Sequence, residues 1–132
     1  MKRLTCTALA ILCISRATQA EVQYNRDILP ILTQKCLACH GADSSKRKAR
    51  LRLDEKASAY SRRDGSSAIV PGNPEKSSLI TRIFSSDEDE VMPPPDQKTK
   101  RLSAAEKQLL RQWIAQGAEY EEHWAFQPPK RG

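Results

Sequence analysis

The sequence predicts a small, mostly α-helical domain. Three observations carry that prediction. Apolar residues in the better patterned stretches recur at helical spacing. Two segments, Asn73-Pro74 and Ser103-Ala104-Ala105-Glu106, carry explicit helix-start signals. Alternating runs are few and only a few residues long. At 132 residues the chain has the length of one domain. Hydrophobic residues make up 39% and charged residues 29%, with only two Phe, two Trp and three Tyr. So lean a core gains from a bound group or a cross-link. No internal repeat or low-complexity tract is visible, and no run past the N-terminal region approaches the roughly 20 apolar residues of a membrane span.

In chain order, the N-terminus reads first as a signal peptide over residues 1–20. Lys2 and Arg3 precede a mostly apolar stretch over 4–15, and Thr18-Gln19-Ala20 places small residues where a signal peptidase reads. Arg16 departs from that pattern and leaves an uncleaved anchor as the alternative. Leu12 stands where a lipoprotein signal ending at Cys13 needs a small residue, which disfavours that reading. Cleavage after Ala20 removes Cys6, Cys13 and three of the 22 cations, leaving nineteen against 16 anions, a net charge of +3. The remaining thiols, Cys36 and Cys39, then meet an oxidising compartment.

Asp27 is the expected N-cap of a helix over about 28–38, with Pro30 in its first turn. Leu29, Leu32, Cys36 and Cys39 fall on one face of it. Arg50-Leu51-Arg52-Leu53 alternates as a short extended segment does, and Asp54 is positioned to cap a short helix through Ala59. Residues 67–70 form another short extended run. Asn73 and Pro74 read as N-cap and first helical residue of a helix to about Phe84 that buries Leu79, Ile80 and Ile83. An acidic run, Asp87 to Glu90, precedes Val91-Met92-Pro93-Pro94-Pro95. The capping box at Ser103 opens the best-marked helix, with Leu109, Leu110, Trp113 and Ile114 on its apolar face and Gly117 as its C′ residue.

One motif carries chemistry. Cys36-Leu37-Ala38-Cys39-His40 is a CxxCH sequence, the attachment signature of haem c. Thiols at i and i+3 share one side of a helical turn, where both can add to the vinyl groups of one porphyrin. The next residue is then carried under the ring, so His40 is the candidate proximal iron ligand, its second ring nitrogen donating to a backbone carbonyl. A zinc site would need four ligands; the processed chain has only His40 and His123 as nitrogen ligands, and His40 abuts Cys39, which is awkward for joint chelation. A thioredoxin-like pair would need a βαβ context, and a Cys36–Cys39 disulfide would close a very short loop. Met92 is the one methionine of the processed chain, and three prolines stiffen the loop that presents it. It is the candidate distal iron ligand, with His123 as competitor and an open or water-ligated iron as the remaining alternative; the plain readings are a gap-filling apolar residue for Met92 and a solvated or packing histidine for His123. His/Met ligation suits electron transfer rather than O2 or peroxide chemistry. No acid–base pair and no Ser/His/Asp arrangement is convincingly placed for turnover.

The run Tyr24 to Leu32, the CLACHG at 36–41 and the stretch Lys46 to Asp54 resemble the planctomycete-type cytochrome c domain. So do Ile69 to Pro74, Met92-Pro93-Pro94-Pro95, the helix from Leu102 to Gly117 and His123-Trp124-Ala125-Phe126. The resemblance implies a cytochrome c-like helical fold over 21–122 around one covalent haem c. It carries over Cys36 and Cys39 as thioether residues and His40 and Met92 as iron ligands. It also implies export to the periplasm or cell envelope. Residues 123–132 then resemble a linker to a further domain, so the chain is either a free-standing carrier or the leading part of a longer protein. The first and last helices are expected to cross and clamp the haem between them.

The expected function is a non-enzymatic exported carrier of one electron. The alternatives are a haem-based sensory or interaction module with a displaceable sixth ligand, and a zinc or disulfide module. The basic residues Lys46, Arg47, Lys48, Arg50 and Arg52 suggest a rim that steers an acidic redox partner, or a loop that pairs with Asp87 to Glu90. Nucleic acid is not an expected partner: aromatics do not interleave with the basic run and no recognition motif appears.

Overall fold

The computed structural model describes residues 19–96 and 101–122. Residues 1–18 of the signal peptide expected over 1–20, the competitor ligand His123 and the tail over 123–132 lie outside the described residues.

The architecture is helical with one small hairpin. A π-helical turn, Tyr24–Ile28, leads into α1 (Leu29–Lys35), and α2 (Leu37–His40) comes after a break at Cys36. Then come α3 (Lys56–Tyr60), a two-stranded antiparallel hairpin β1 (Arg62–Arg63) and β2 (Ser66–Ser67), a 3-10 turn Pro74–Lys76, α4 (Ser78–Phe84) and α5 (Ala104–Ala115).

The first helix begins earlier than the sequence suggested. Its N-cap is Gln23, whose N–H donates to the Asp27 carboxylate at 2.9 Å. Asp27 thus caps from inside the first turn. The turn is widened there, with the Leu29 N–H reaching Tyr24 O, and Pro30 lies in the first turn of α1, as expected, after this π-turn. The helix also stops short of 38. Cys36 swings to φ −126° before the chain re-enters α2. Leu32 is therefore fully buried in the core while Cys36 and Cys39 turn to a cavity, and the four residues read as one face divide between two surroundings.

Two further expectations are corrected. Asp54 does not cap α3, whose N-cap is Glu55 without a side-chain bond; the Asp54 carboxylate is instead taken by Arg52 at 2.7 Å. Arg50 is not extended: Ala49 and Arg50 both have φ of 53°, in a turn closed by Leu51 N–H to Lys48 O.

Other signals hold. Asn73 Oδ1 accepts from Lys76 N as an N-cap does, but the helix it opens is only the 3-10 turn: Ser77, at φ −87° and ψ 116°, is extended and divides the single helix expected over 74–84. Leu79, Ile80 and Ile83 are buried. The Ser103–Glu106 capping box is complete in both directions. After α5, Gly117 has φ +112° and Ala118 N–H returns to Trp113 O at 2.9 Å. This is the Schellman arrangement a C′ glycine permits. Leu110, Trp113 and Ile114 lock α5 into the core with Ile28, Leu32, Ile69 and Ile83, while Leu109 is only partly buried. Helix α5 packs on the π-turn, the 3-10 turn and α4. No helix among the described residues is long and apolar enough to cross a membrane.

Candidate functional site

The CxxCH segment is shaped by the break at Cys36. The Cys36 carbonyl accepts from Cys39 N–H (3.2 Å) and His40 N–H (2.9 Å), which curls the motif into one tight turn. Two bonds then anchor the stretch of chain on its C-terminal side. Lys48 N–H donates to Cys39 O and Leu53 N–H to His40 O, each at 2.8 Å. Arg47 closes the intervening loop by donating to the carbonyls of Gly41 (3.0 Å) and Ala42 (2.9 Å). Leu53 is itself held from the other side by the Tyr120 hydroxyl, which donates to its carbonyl at 2.8 Å.

These elements wall a cavity of about 680 Å³, within the roughly 300–1,000 Å³ of small-molecule and cofactor pockets. Cys36, Cys39 and His40 line it on one side, and Met92, Pro93 and Pro94 contribute from the loop after α4. All four residues singled out in the sequence therefore meet at one cavity. Leu51 and Leu53, two apart in extended chain, present their side chains there too, and α4 adds Leu79 and Ile83. No residue of α5 lines it. The expected clamp between the first and last helices is thus replaced by a cavity between the CxxCH turn, the 48–53 segment, the hairpin and α4. Helix α5 has spent its apolar face on the core and supports the site from behind.

The hairpin is an element the sequence reading missed. Its turn is Asp64-Gly65, with φ of 48° and 87°. An Asp-Gly pair is a strong hairpin signal because both central residues of the tight turn need positive φ. The hairpin brings Arg63 and Ser66 to the cavity. Arg63 is held by the Ser58 carbonyl at 2.7 Å and the Ser58 hydroxyl at 2.9 Å.

The cavity mouth is basic. Lys35, Lys48, Arg63 and Arg82 line it against a single carboxylate, Asp64. Of the five basic residues expected to form a rim, only Lys48 lines the cavity. Arg47 is turned to backbone carbonyls, Arg52 pairs with Asp54 and Glu55, and Lys46 lies 3.9 Å from Asp43. None pairs with Asp87 to Glu90. The cation on that acidic run is Arg82, 3.5 Å from Glu90.

The donor set fits a covalent haem. Cys36 and Cys39 are both free thiols. Burial pushes the Cys36 thiol up to about 12, with the Glu106 and Cys39 charges adding to it. That is the opposite of the lowered value a redox-active CxxC pair needs. Desolvation lowers the His40 pKa and favours the neutral, metal-binding imidazole, the Lys48 backbone opposing and the Arg82 charge assisting. Nδ1 is buried without a hydrogen-bond partner, so the backbone-carbonyl bond expected of the second ring nitrogen is not in place. Such a nitrogen is costly unless something binds it. Among the described residues no cluster of three or more His, Cys, Asp or Glu side chains is placed to hold a metal ion.

The family described as Planctomycete cytochrome C matches residues 36–96, from the first cysteine of the motif to just past the Met92 loop. Residues 36–96 therefore belong to the planctomycete cytochrome c family. A c-type cytochrome carries covalently bound haem c, and the matched segment of this cytochrome contains every cavity-lining residue except Lys35. No curated protein and no solved structure matches the chain significantly.

Proposed function

We propose that this cytochrome is an exported, single-haem carrier of one electron. Cys36 and Cys39 would supply the thioether bonds, and His40 and Met92 the axial ligands. The observation that carries the reading is the meeting of these four side chains at one largely apolar cavity. A haem bound there supplies an iron that gains and loses a single electron. In the attachment each thiol S–H adds across one vinyl double bond, so sulfur and proton both end on the porphyrin and no oxidant is consumed. The leucines and isoleucine of the wall exclude water, which disfavours the more highly charged oxidised centre. A thioether opposite an imidazole works in the same direction and raises the potential relative to two histidines. The basic mouth suits approach by an acidic redox protein.

The test is maturation in a host with a haem-attachment system. The product should be red, with a mass exceeding the polypeptide by one haem and colour that survives denaturation. A Cys36→Ala/Cys39→Ala variant should lose that covalent colour. The ferric protein should show the weak red-region sulfur-to-iron band, and Met92→Ala should abolish it. A colourless matured product with the bare polypeptide mass would overturn the proposal.

A further inference from the structure

The residue that fastens the Met92 loop to the cavity wall lies outside the CxxCH motif. Arg82 is in the last turn of α4 and lines the cavity. Its carbonyl accepts from Met92 N–H at 3.2 Å. Its guanidinium crosses to the other side of the same loop, donating to Glu90 O at 3.3 Å and lying 3.5 Å from the Glu90 carboxylate. The loop between is drawn tight by its own bonds. Asp87 O accepts from Glu90 N–H (3.1 Å) and Val91 N–H (2.9 Å), while Asp87 N–H donates to Ser85 Oγ (3.1 Å). Val91 and Pro93, on either side of Met92, are buried. One side chain therefore ties the outer edge of this turn to the helix that walls the site.

We propose that Arg82 is a positioning residue for the Met92 thioether, its guanidinium holding shut the loop that presents the sulfur to the cavity. The inference rests on Met92 being the sixth ligand. A thioether is a weak ligand, so the fraction of molecules in which it stands aside is set by the loop rather than by the bond alone. Loss of one solvent-exposed charge-assisted contact shifts such an opening equilibrium about three- to fivefold. The Arg82 carbonyl bond survives any substitution of the side chain, so variants isolate the guanidinium.

The experiment titrates the matured ferric protein with imidazole, which competes for the sixth position, and tracks the sulfur-to-iron band. Arg82→Ala should bind imidazole about three- to fivefold more tightly than the parent, and Arg82→Lys should recover most of the difference. Arg82→Gln, which keeps the stem but not the charge, is run beside them and should fall near Arg82→Ala, so that the comparison stands even if the alanine variant matures poorly. Placed on Met92→Ala, Arg82→Ala should change imidazole affinity by less than about twofold, an outcome a merely structural role would not produce. The proposal is overturned if Arg82→Ala and Arg82→Gln match the parent while Met92→Ala alone raises the affinity. If Met92→Ala itself leaves the ferric spectrum and the affinity unchanged, the ligand assignment fails and the role of Arg82 fails with it.

Discussion

Gly41 closes the CxxCH turn, and adding one methyl group there has a calculable effect. A Cβ at this position would stand 2.3 Å from the Leu37 carbonyl oxygen, 3.2 Å from its carbon and 3.3 Å from the Leu37 Cβ. Carbon and oxygen without a covalent link approach to roughly 3.3 Å, so about 1 Å of movement is demanded. The obstacle is backbone and cannot rotate aside. The Leu37 peptide lies between the two cysteines, and Gly41 is itself buried with its carbonyl bonded to Arg47. Relief must therefore come from shifting the motif or from breaking the 41–48 loop. Overpacking of this kind costs about 1–3 kcal/mol. For a domain of this size that corresponds to a fall in melting temperature on the order of 5–20 °C. Gly41→Ala should show that fall in a circular-dichroism melt of the matured protein, with a lower yield of covalent haem. A variant that melts with its parent and colours to the same extent would refute the steric reasoning.

Three further outcomes are expected. Ser77 is fully buried, accepting from Val70 N–H at 2.8 Å and donating to Asn73 O at 2.9 Å; Ser77→Ala leaves that N–H unpaired and should cost about 1–3 kcal/mol in urea denaturation. Arg50 is exposed with φ of 53°, and a non-glycine residue pays roughly 1–2 kcal/mol for that conformation. Arg50→Gly should therefore stabilise by up to about 1 kcal/mol once glycine's greater unfolded-state freedom is set against the relief. The hydrogen-bonded Arg52 guanidinium holds the Asp54 carboxyl below its ordinary range, burial opposing. A value lower in the folded chain than in the unfolded one adds stability above the ordinary carboxylate pKa. That stability is lost as pH falls through the folded value. Asp54→Asn should thus weaken the protein by under about 1 kcal/mol at neutral pH, with the difference closing as pH falls through the folded value; a gap that persists in acid would show that the effect is not this pair.

Chemistry written in adjacent residues was legible in the sequence. The two thiols and the imidazole of Cys36-Leu37-Ala38-Cys39-His40, the Ser103–Glu106 box, the Asn73-Pro74 start and Gly117 each act within a few residues, so their neighbours in the chain suffice to read them. Met92 was found because it stood alone among prolines. The break at Cys36 was hidden because Leu29, Leu32, Cys36 and Cys39 keep helical spacing through it, and only the competition between core and cavity decides where each points. Asp54 was taken for a cap because its position permits one; Arg52, two residues earlier, offers the stronger partner. The Asp64-Gly65 hairpin was legible and overlooked. Ser77 and Arg82 carried no readable signal, since what they hold (Val70 and Asn73 in one case, Glu90 in the other) is close only after folding.

The absence of α5 from the cavity wall separates two properties that are usually measured as one. Pigment spectroscopy sees the neighbourhood of Cys36, Cys39, His40 and the loop after α4, whereas Trp113, buried on α5 with its indole bonded to Glu119 O, is a fluorescent witness to the opposite side of the molecule. In a Trp124→Phe background, disagreement between the two signals in mild denaturant would measure how far the core around α5 and the pigment's neighbourhood lean on one another.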